Sequence, residues 1–394
     1  MHNASAAAPD AVVAGHIALD LFPELPGPVA YEPGRLTVVG PALISTGGSV
    51  SNTGLTLHRL GVPVRLVAKV GDDLFGRAVL DALAQIGGDL SSEIVVSARD
   101  VTSYTIAISP PGVDRTFLHC PGANQTFRAD DVRDEVLAGA RVFHFGYPPL
   151  MREMYADRGA QLRRLFERVH AAGPATSLDL CAVDPGSEAG GVDWQAVLAN
   201  ALPHVDVFAP SIEELLFMLD RDAHAQLQAS PRISSFVDRM RLAALGDRLL
   251  GMGVAVVAIK LGDQGLYMRS SRDEARIGAF CERIGLSAEA WRDREVLAPC
   301  FAAREVVGTT GSGDCTIAGL LAALLRGADP VDAATGATAV GACSVEAVDP
   351  TSSVPPWADV AARLARGWPR TAVEVELGDN VIVERSSTGT LTLR

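Results

Sequence analysis

Short apolar runs alternate with helix-period stretches along almost the whole chain, the order expected of a mainly parallel sheet covered by helices. Strand candidates are residues 12–14 ending at Gly15, 64–70 ending at Gly71, and 141–145 ending at Gly146. Residues 176–180, 205–208 before Pro210, and 254–259 before Gly262 continue the series. Between them the periodicity predicts helices over 53–60, 74–86, 153–172 with Gly173 as its stop, 194–202, and 236–252. Residues 311–326, ending at Gly327, form a further helix rich in small residues.

Two segments depart from this rhythm. Residues 36–46 read as extended, and 101–109 alternate, turn at Pro110-Pro111-Gly112 and continue through 115–120 as a hairpin. Antiparallel excursions inside a parallel fold suggest a small β-lid over one sheet edge, built from about residues 31–46 and 101–120. Residues 11–370 then read as a single α/β domain of Rossmann-like, three-layer type. Within it, 270–299 reads as irregular, with one helix around 288–291. The tail, 371–394, offers a hairpin of 373–377 with 381–384 across Gly378-Asp379-Asn380.

Composition narrows the function classes. Hydrophobic residues at 48% and charged residues at 21% suit a globular chain and argue against long disorder. A formal charge of −13 without a basic run speaks against a nucleic-acid footprint, which needs clustered Lys and Arg. Stretches such as 254–259 and 320–325 are too short to span a bilayer. Residues 1–10 are Ala-rich, without the basic start and apolar core of a signal peptide. The six cysteines form no Cys-x-x-Cys pair and read as reduced thiols of a cytoplasmic protein.

The strongest chemical signal is Gly308-Thr309-Thr310-Gly311-Ser312-Gly313-Asp314, opening the small-residue helix. Glycines let backbone N–H groups turn toward a ligand, and a helix N-terminus adds partial positive charge: an anion cradle. An aspartate there repels phosphate, which makes sense when it takes a proton from an attacking hydroxyl. The alternative is a plain turn with Asp314 in the first helical turn. A Walker-type loop is excluded, because it needs Gly-Lys-Ser/Thr and the chain's two lysines, Lys69 and Lys260, follow Ala68 and Ile259.

Near the N-terminus lie Gly47-Gly48-Ser49-Val50-Ser51-Asn52 and Gly71-Asp72-Asp73-Leu74-Phe75-Gly76. Paired glycines allow close approach of a ligand, and the Asn52 amide both donates to and accepts from hydroxyls; the alternative for Gly47 and Gly48 is a loop into a helix. Asp72-Asp73 reads as an N-cap rather than a ligand contact. Asp20 lies just beyond the first strand, where open α/β sheets bind ligands.

Together these residues resemble the ribokinase-like, or PfkB-type, sugar kinases from about residue 11 to 356. Gly15 through Asp20 looks like that family's first strand and sugar-binding aspartate, while Gly47, Gly48, Asn52, Gly71, Asp73 and Gly76 are similar to its N-terminal signature. Pro210-Ser211-Ile212-Glu213-Glu214 looks like its Pro-Asn-x-x-Glu element, and Gly262 through Gly265 like its nucleotide turn. Gly311-Ser312-Gly313-Asp314 matches its C-terminal signature of anion hole and base.

The resemblance implies transfer of the ATP γ-phosphoryl group to a hydroxyl of a monosaccharide or sugar acid. Asp314 is then the base, and Gly311, Ser312 and Gly313 the anion hole. Asp20, Gly47, Gly48, Asn52 and Tyr147 hold the acceptor, and Ser211, Glu214, Lys260, Gly262 and Gly265 hold the nucleotide. Mg²⁺ is organised by Glu214 through water, and a homodimer through the lid is a further implication. A nucleoside kinase and a non-catalytic sugar-binding regulator are the alternatives. The departures are Ser211 for the usual Asn, Lys260 for the frequent Thr, and Gly308 for an aspartate that in potassium-activated relatives contributes to the cation site.

Overall fold

A computed structural model describes residues 9–29, 32–110, 116–379 and 381–394. In chain order the strands are β1 (Ala11–Gly15), β2 (Ala18–Pro23), β3 (Ala42–Gly47), β4 (Val64–Val67), β5 (Lys69–Gly71), β6 (Val95–Ser97), β7 (Tyr104–Ile108) and β8 (Thr116–Cys120). They continue as β9 (Val142–Gly146), β10 (Ala175–Leu178), β11 (Val207–Phe208), β12 (Val256–Lys260), β13 (Leu266–Ser270), β14 (Glu295–Ala298), β15 (Val383–Arg385) and β16 (Leu391–Leu393).

Ten of these strands form one sheet in the order β15-β16-β14-β13-β12-β11-β10-β9-β1-β4. Pairing is parallel from β4 to β12 and antiparallel from β12 outward. The parallel strands are mostly apolar on both faces because both faces are covered, with Arg65, His144, Thr176, Ser177 and Lys260 as the polar exceptions. On β1, Ala11 and Val13 enter one core while Val12 and Ala14 enter the other; on β12, Val256 and Ala258 face opposite to Val257 and Ile259. Helices Ser49–Arg59, Ser312–Leu325 and Pro330–Ser344 cover the first face, and Arg152–Ala172, Trp194–Ala201 and Arg239–Gly251 the second. The result is a three-layer α/β/α arrangement.

Small residues let the Ser312–Leu325 and Pro330–Ser344 helices approach closely. A Cβ on Gly319 would lie 2.7 Å from the Gly336 carbonyl oxygen. This contact buries the Ser312–Leu325 helix almost completely and fixes its N-terminus at the carboxyl ends of the parallel strands.

A separate four-stranded sheet, β3-β2-β7-β8, stands beside the strand ends. It arises where the extended and hairpin segments were expected, with differences in extent and in the place of Asp20. Only Ala42–Gly47 of the first segment pairs as a strand, and the second pairs from Tyr104. Asp20 lies within β2 rather than in a loop beyond β1, since β2 pairs β3 antiparallel and β7 in parallel. The hairpin tip at Pro111 and Gly112 lies outside the described residues.

Two further expectations are corrected. The 270–299 stretch is not irregular: it holds helices Glu274–Ile284 and Ala288–Trp291 and strand β14, which pairs with β13. The tail forms a hairpin, but of β15 with β16, and β16 continues the main sheet on β14. Leu391 and Leu393 become buried there, whereas residues 373–377 form no strand, making one isolated bridge between Glu376 and Asp238, and Asn380 lies outside the described residues. Among the described residues no helix is long and apolar enough to cross a membrane.

Candidate active site

Asp314 sits in the first turn of the Ser312–Leu325 helix, behind Gly311, whose φ of 74° is left-handed. A Cβ on Gly311 would also lie 3.0 Å from Asn52 Nδ2. The Asp314 carboxylate is 2% exposed. Its Oδ2 accepts from Asn52 Nδ2 at 2.8 Å and from the Tyr147 hydroxyl at 2.7 Å, while Oδ1 is buried with no partner. Burial pushes this carboxyl up; the Tyr147 and Asn52 hydrogen bonds and the Lys260 charge oppose the shift. Burial and the Asp314 charge raise Tyr147 in turn, so its phenol keeps the proton it donates. Tyr147 closes β9 at a left-handed φ of 68°, a strained geometry for a non-glycine residue.

Lys260 ends β12, and its Nζ lies 2.7 Å from Asp179 Oδ1, just after β10. Asp179 is 1% exposed and its Oδ2 has no partner. Burial works against charge on Lys260, but Asp179 and Glu214 outweigh it and hold the ammonium well above its ordinary value. A Cβ on Gly313 would lie 3.4 Å from Lys260 Nζ, so the ammonium borders the glycine turn. A cavity of about 350 Å³ opens here, lined among others by Lys260, Gly262, Gly265, Phe301, Ser312 and Gly313. Gly262 (φ 58°) and Gly265 (φ 96°) shape its rim, and a Cβ on Gly265 would strike the Ala298 carbonyl oxygen at 2.1 Å.

Ser211 and Glu214 form a capping box on the Ile212–Leu219 helix. Glu214 Oε2 accepts from the Ser211 N–H at 2.7 Å, and Ser211 Oγ accepts from the Glu214 N–H at 3.2 Å. One oxygen of Glu214 therefore has a structural task, and its charge is felt at Asp314, Asp179 and Lys260. Among the described residues no three His, Cys, Asp or Glu side chains converge as a metal cage. This donor set suits a hydrated cation touched through water rather than one held in a protein shell.

On the other side of Asp314 the small sheet contributes Asp20, whose carboxylate occupies the space a Gly47 side chain would need: a Cβ there would lie 1.8 Å from Asp20 Oδ2. Burial pushes Asp20 up to about 6, opposed by its hydrogen bond with Thr105. Gly48, at φ 84°, leaves room for His16, whose Nε2 is 3.4 Å from His119 Nε2. Burial lowers both imidazoles, and His119 also contacts Thr105 Oγ1 at 3.1 Å. Asn124 instead clamps the backbone of Ile17 through both ends of its amide.

The structure thus brings Asn52, Tyr147, Gly311 and Asp314 into direct contact and sets Lys260 beside Gly313. Asn52 and Tyr147, expected to face an acceptor, give their donors to Asp314. The Ser312 N–H, expected in the anion hole, is donated to the Thr309 carbonyl at 3.2 Å. Sequence reasoning missed His16 and Asp179. Each stands just past a strand end, which marks a site residue only once the strand order is known.

Residues 10–357 match the description "pfkB family carbohydrate kinase". An uncharacterised sugar kinase from Archaeoglobus fulgidus is 24% identical over 69% of this chain and 87% of that protein. A probable fructokinase from Arabidopsis thaliana is 27% identical over 53% of this chain and 61% of that protein. Among solved structures, a ribokinase from Arabidopsis thaliana with ribose and ATP superposes with a TM-score of 0.68 at 17% identity, covering 90% of this chain and 98% of that one. The match across nearly the whole domain, on a ribokinase fold, makes this chain a member of the pfkB family of carbohydrate kinases.

Proposed function

We propose that this enzyme moves the γ-phosphoryl group of ATP to a hydroxyl of a monosaccharide or sugar acid. The observation that carries this reading is the divided carboxylate of Asp314: two donors hold Oδ2, and buried Oδ1 is left to accept a proton. The acceptor hydroxyl loses its proton to Oδ1 as its oxygen bonds to phosphorus, and the bond from phosphorus to the ADP oxygen breaks. Gly311 and Gly313 let the backbone approach the moving group, with the helix N-terminus adding positive charge. The apolar cavity beside Lys260, Gly262 and Gly265 takes the nucleotide, and Asp20, Gly47 and Gly48 border the acceptor. Bound Mg²⁺ would neutralise phosphate charge, with Glu214 holding one of its waters.

The small sheet serves as a lid in this reading. Leu43, Ile44, Phe117 and Leu118, each about half exposed on it, are the proposed homodimer contact, which sedimentation would test. The six free cysteines suit a reducing, cytoplasmic setting. A nucleoside acceptor is less favoured: of Phe117, Phe127 and Tyr147, Phe127 is wholly buried in the core and Tyr147 is committed to Asp314, which leaves the half-exposed Phe117 without a partner ring for a base.

ADP release with sugars, sugar acids and nucleosides at fixed Mg²⁺ and ATP tests the reading. Turnover is expected with a sugar, and Asp314→Asn should lower kcat by roughly 10²–10⁴ with nucleotide binding retained. Near-wild-type turnover of Asp314→Asn would remove the base from the mechanism.

A further inference from the structure

Lys260 and Asp179 form a buried ion pair that the proposed chemistry has so far used only as part of the nucleotide site. An ammonium carries three N–H donors. Asp179 Oδ1 takes one at 2.7 Å, and among the described residues no other acceptor takes either of the remaining two. The side chain lines the cavity while its own exposure is 12%. Asp179 is likewise incompletely used, since its Oδ2 is buried without a partner. A pair present only to support the fold would satisfy more of these groups, because idle donors and acceptors in a low-dielectric interior are costly.

Position supplies the second argument. The ammonium closes β12 at the carboxyl edge of the parallel strands and borders Gly313, one residue before the base. Both Lys260 and Gly313 line the nucleotide cavity, so the ammonium stands at its edge, one residue from the base. We infer, on the reading that this enzyme is a sugar kinase, that Lys260 held by Asp179 is the cation accompanying the phosphoryl group during transfer. Its two idle N–H bonds meet charge on the phosphoryl oxygens. Asp179 is the positioning residue: it anchors the ammonium without touching the reacting atoms.

Charge and proton bookkeeping agree. Lys260 donates hydrogen bonds and keeps its protons throughout. The acceptor's proton goes to Asp314, one oxygen–phosphorus bond forms, one breaks, and ADP leaves with the bonding pair. The neighbouring Asp179 and Glu214 carboxylates favour the charged ammonium despite its burial, while burial pushes the Asp179 carboxyl up against the opposing Lys260 charge. An ammonium anchored beforehand stabilises the transition state without reorganisation, which is where such a group gains most.

The test compares wild type with Lys260→Met, Asp179→Asn and the double variant Lys260→Met with Asp179→Leu. The double variant removes both members of the pair, so neither is left behind as a lone buried charge, and it is expected to fold even where a single variant does not. Steady-state kinetics with an accepted sugar give kcat and the ATP KM, and calorimetry gives the Kd of ADP, which lacks the transferred group. For the folded Met variants we expect kcat to fall about 10²-fold or more, with the ADP Kd and ATP KM changed only a few-fold. Asp179→Asn should show the same split with a smaller loss, and the double variant should lose no more than Lys260→Met.

An unchanged kcat in the folded double variant overturns the inference. So does a rise in ADP Kd that accounts for the whole loss, since it would assign Lys260 to the diphosphate. Wild-type turnover alongside either result removes this role alone. No wild-type turnover with any acceptor removes the functional reading, and this role with it.

Discussion

At the scale of single residues, the site is organised by carboxylates kept from water in different ways. Asp314 is held by two donors, Asp179 by one ammonium, and Asp20 chiefly by its own burial against Gly47. Asp20 has a measurable consequence. Its carboxyl rises from 3.8 to about 6, so the folded chain binds this proton more tightly than the unfolded chain. Its contribution favours folding fully below about pH 4 and is lost as pH rises through about 6. Asp20→Asn should therefore raise the Tm of the ligand-free protein at pH 8, by the equivalent of about 3 kcal/mol, with the gain disappearing at pH 4. Melting curves at both pH values check this; an equal shift at each would remove the carboxyl as the cause. Gly308 supplies a second prediction. It offers no side-chain oxygen, and the Asp349 carboxylate accepts from the Thr351 N–H and hydroxyl within its own turn. Losing a charged oxygen ligand weakens hard-cation binding. Initial rates should thus change little when potassium replaces a bulky organic cation at fixed ionic strength and magnesium; a several-fold rise would point to a substitute ligand.

Helices and strands carry the next level of control. The Ile212–Leu219 helix begins with Ser211 and Glu214 satisfying each other's backbone N–H groups. Ser211→Ala removes one of these bonds and should cost about 1 kcal/mol in urea unfolding. Glu214→Gln keeps an acceptor for the Ser211 N–H and should leave Tm nearly unchanged while raising the magnesium concentration at half-maximal rate. A magnesium titration superimposable on wild type would assign Glu214 to the helix cap alone. Local chemistry of this kind was legible beforehand: glycines at left-handed positions, a carboxylate in a first turn and Asp73 as an N-cap, which accepts from the Gly76 N–H at 2.8 Å. Strand β2 was not, because its residues belong to a strand only once β3 and β7 lie on either side. The 270–299 segment hid a strand for the same reason, its partner being β13.

Across the whole molecule, the site lies between two bodies of different construction. The central strands of the ten-stranded sheet, β1 and β9 to β14, are almost wholly buried, whereas the small sheet leaves Leu43, Ile44, Phe117 and Leu118 about half exposed. Its connection to the site runs through Asp20 on β2 and through His119 on β8, which faces His16 at the end of β1. An accepted sugar should therefore slow amide exchange in β7 and β8 more than in the Pro330–Ser344 helix, whose exchange is already limited by burial. Uniform or absent protection would mark the small sheet as fixed rather than closing. The sequence by itself determined the alternation of strand and helix, the family, and the glycine-rich turn with its aspartate, because each rests on short motifs or on their order along the chain. Tertiary structure decided what those residues contact. Asn52 reaches Asp314 across 262 positions, Tyr147 across 167, and Lys260 reaches Asp179 across 81. Such partners depend on strand order and on how closely small-residue helices pack, and neither leaves a periodic trace in the chain.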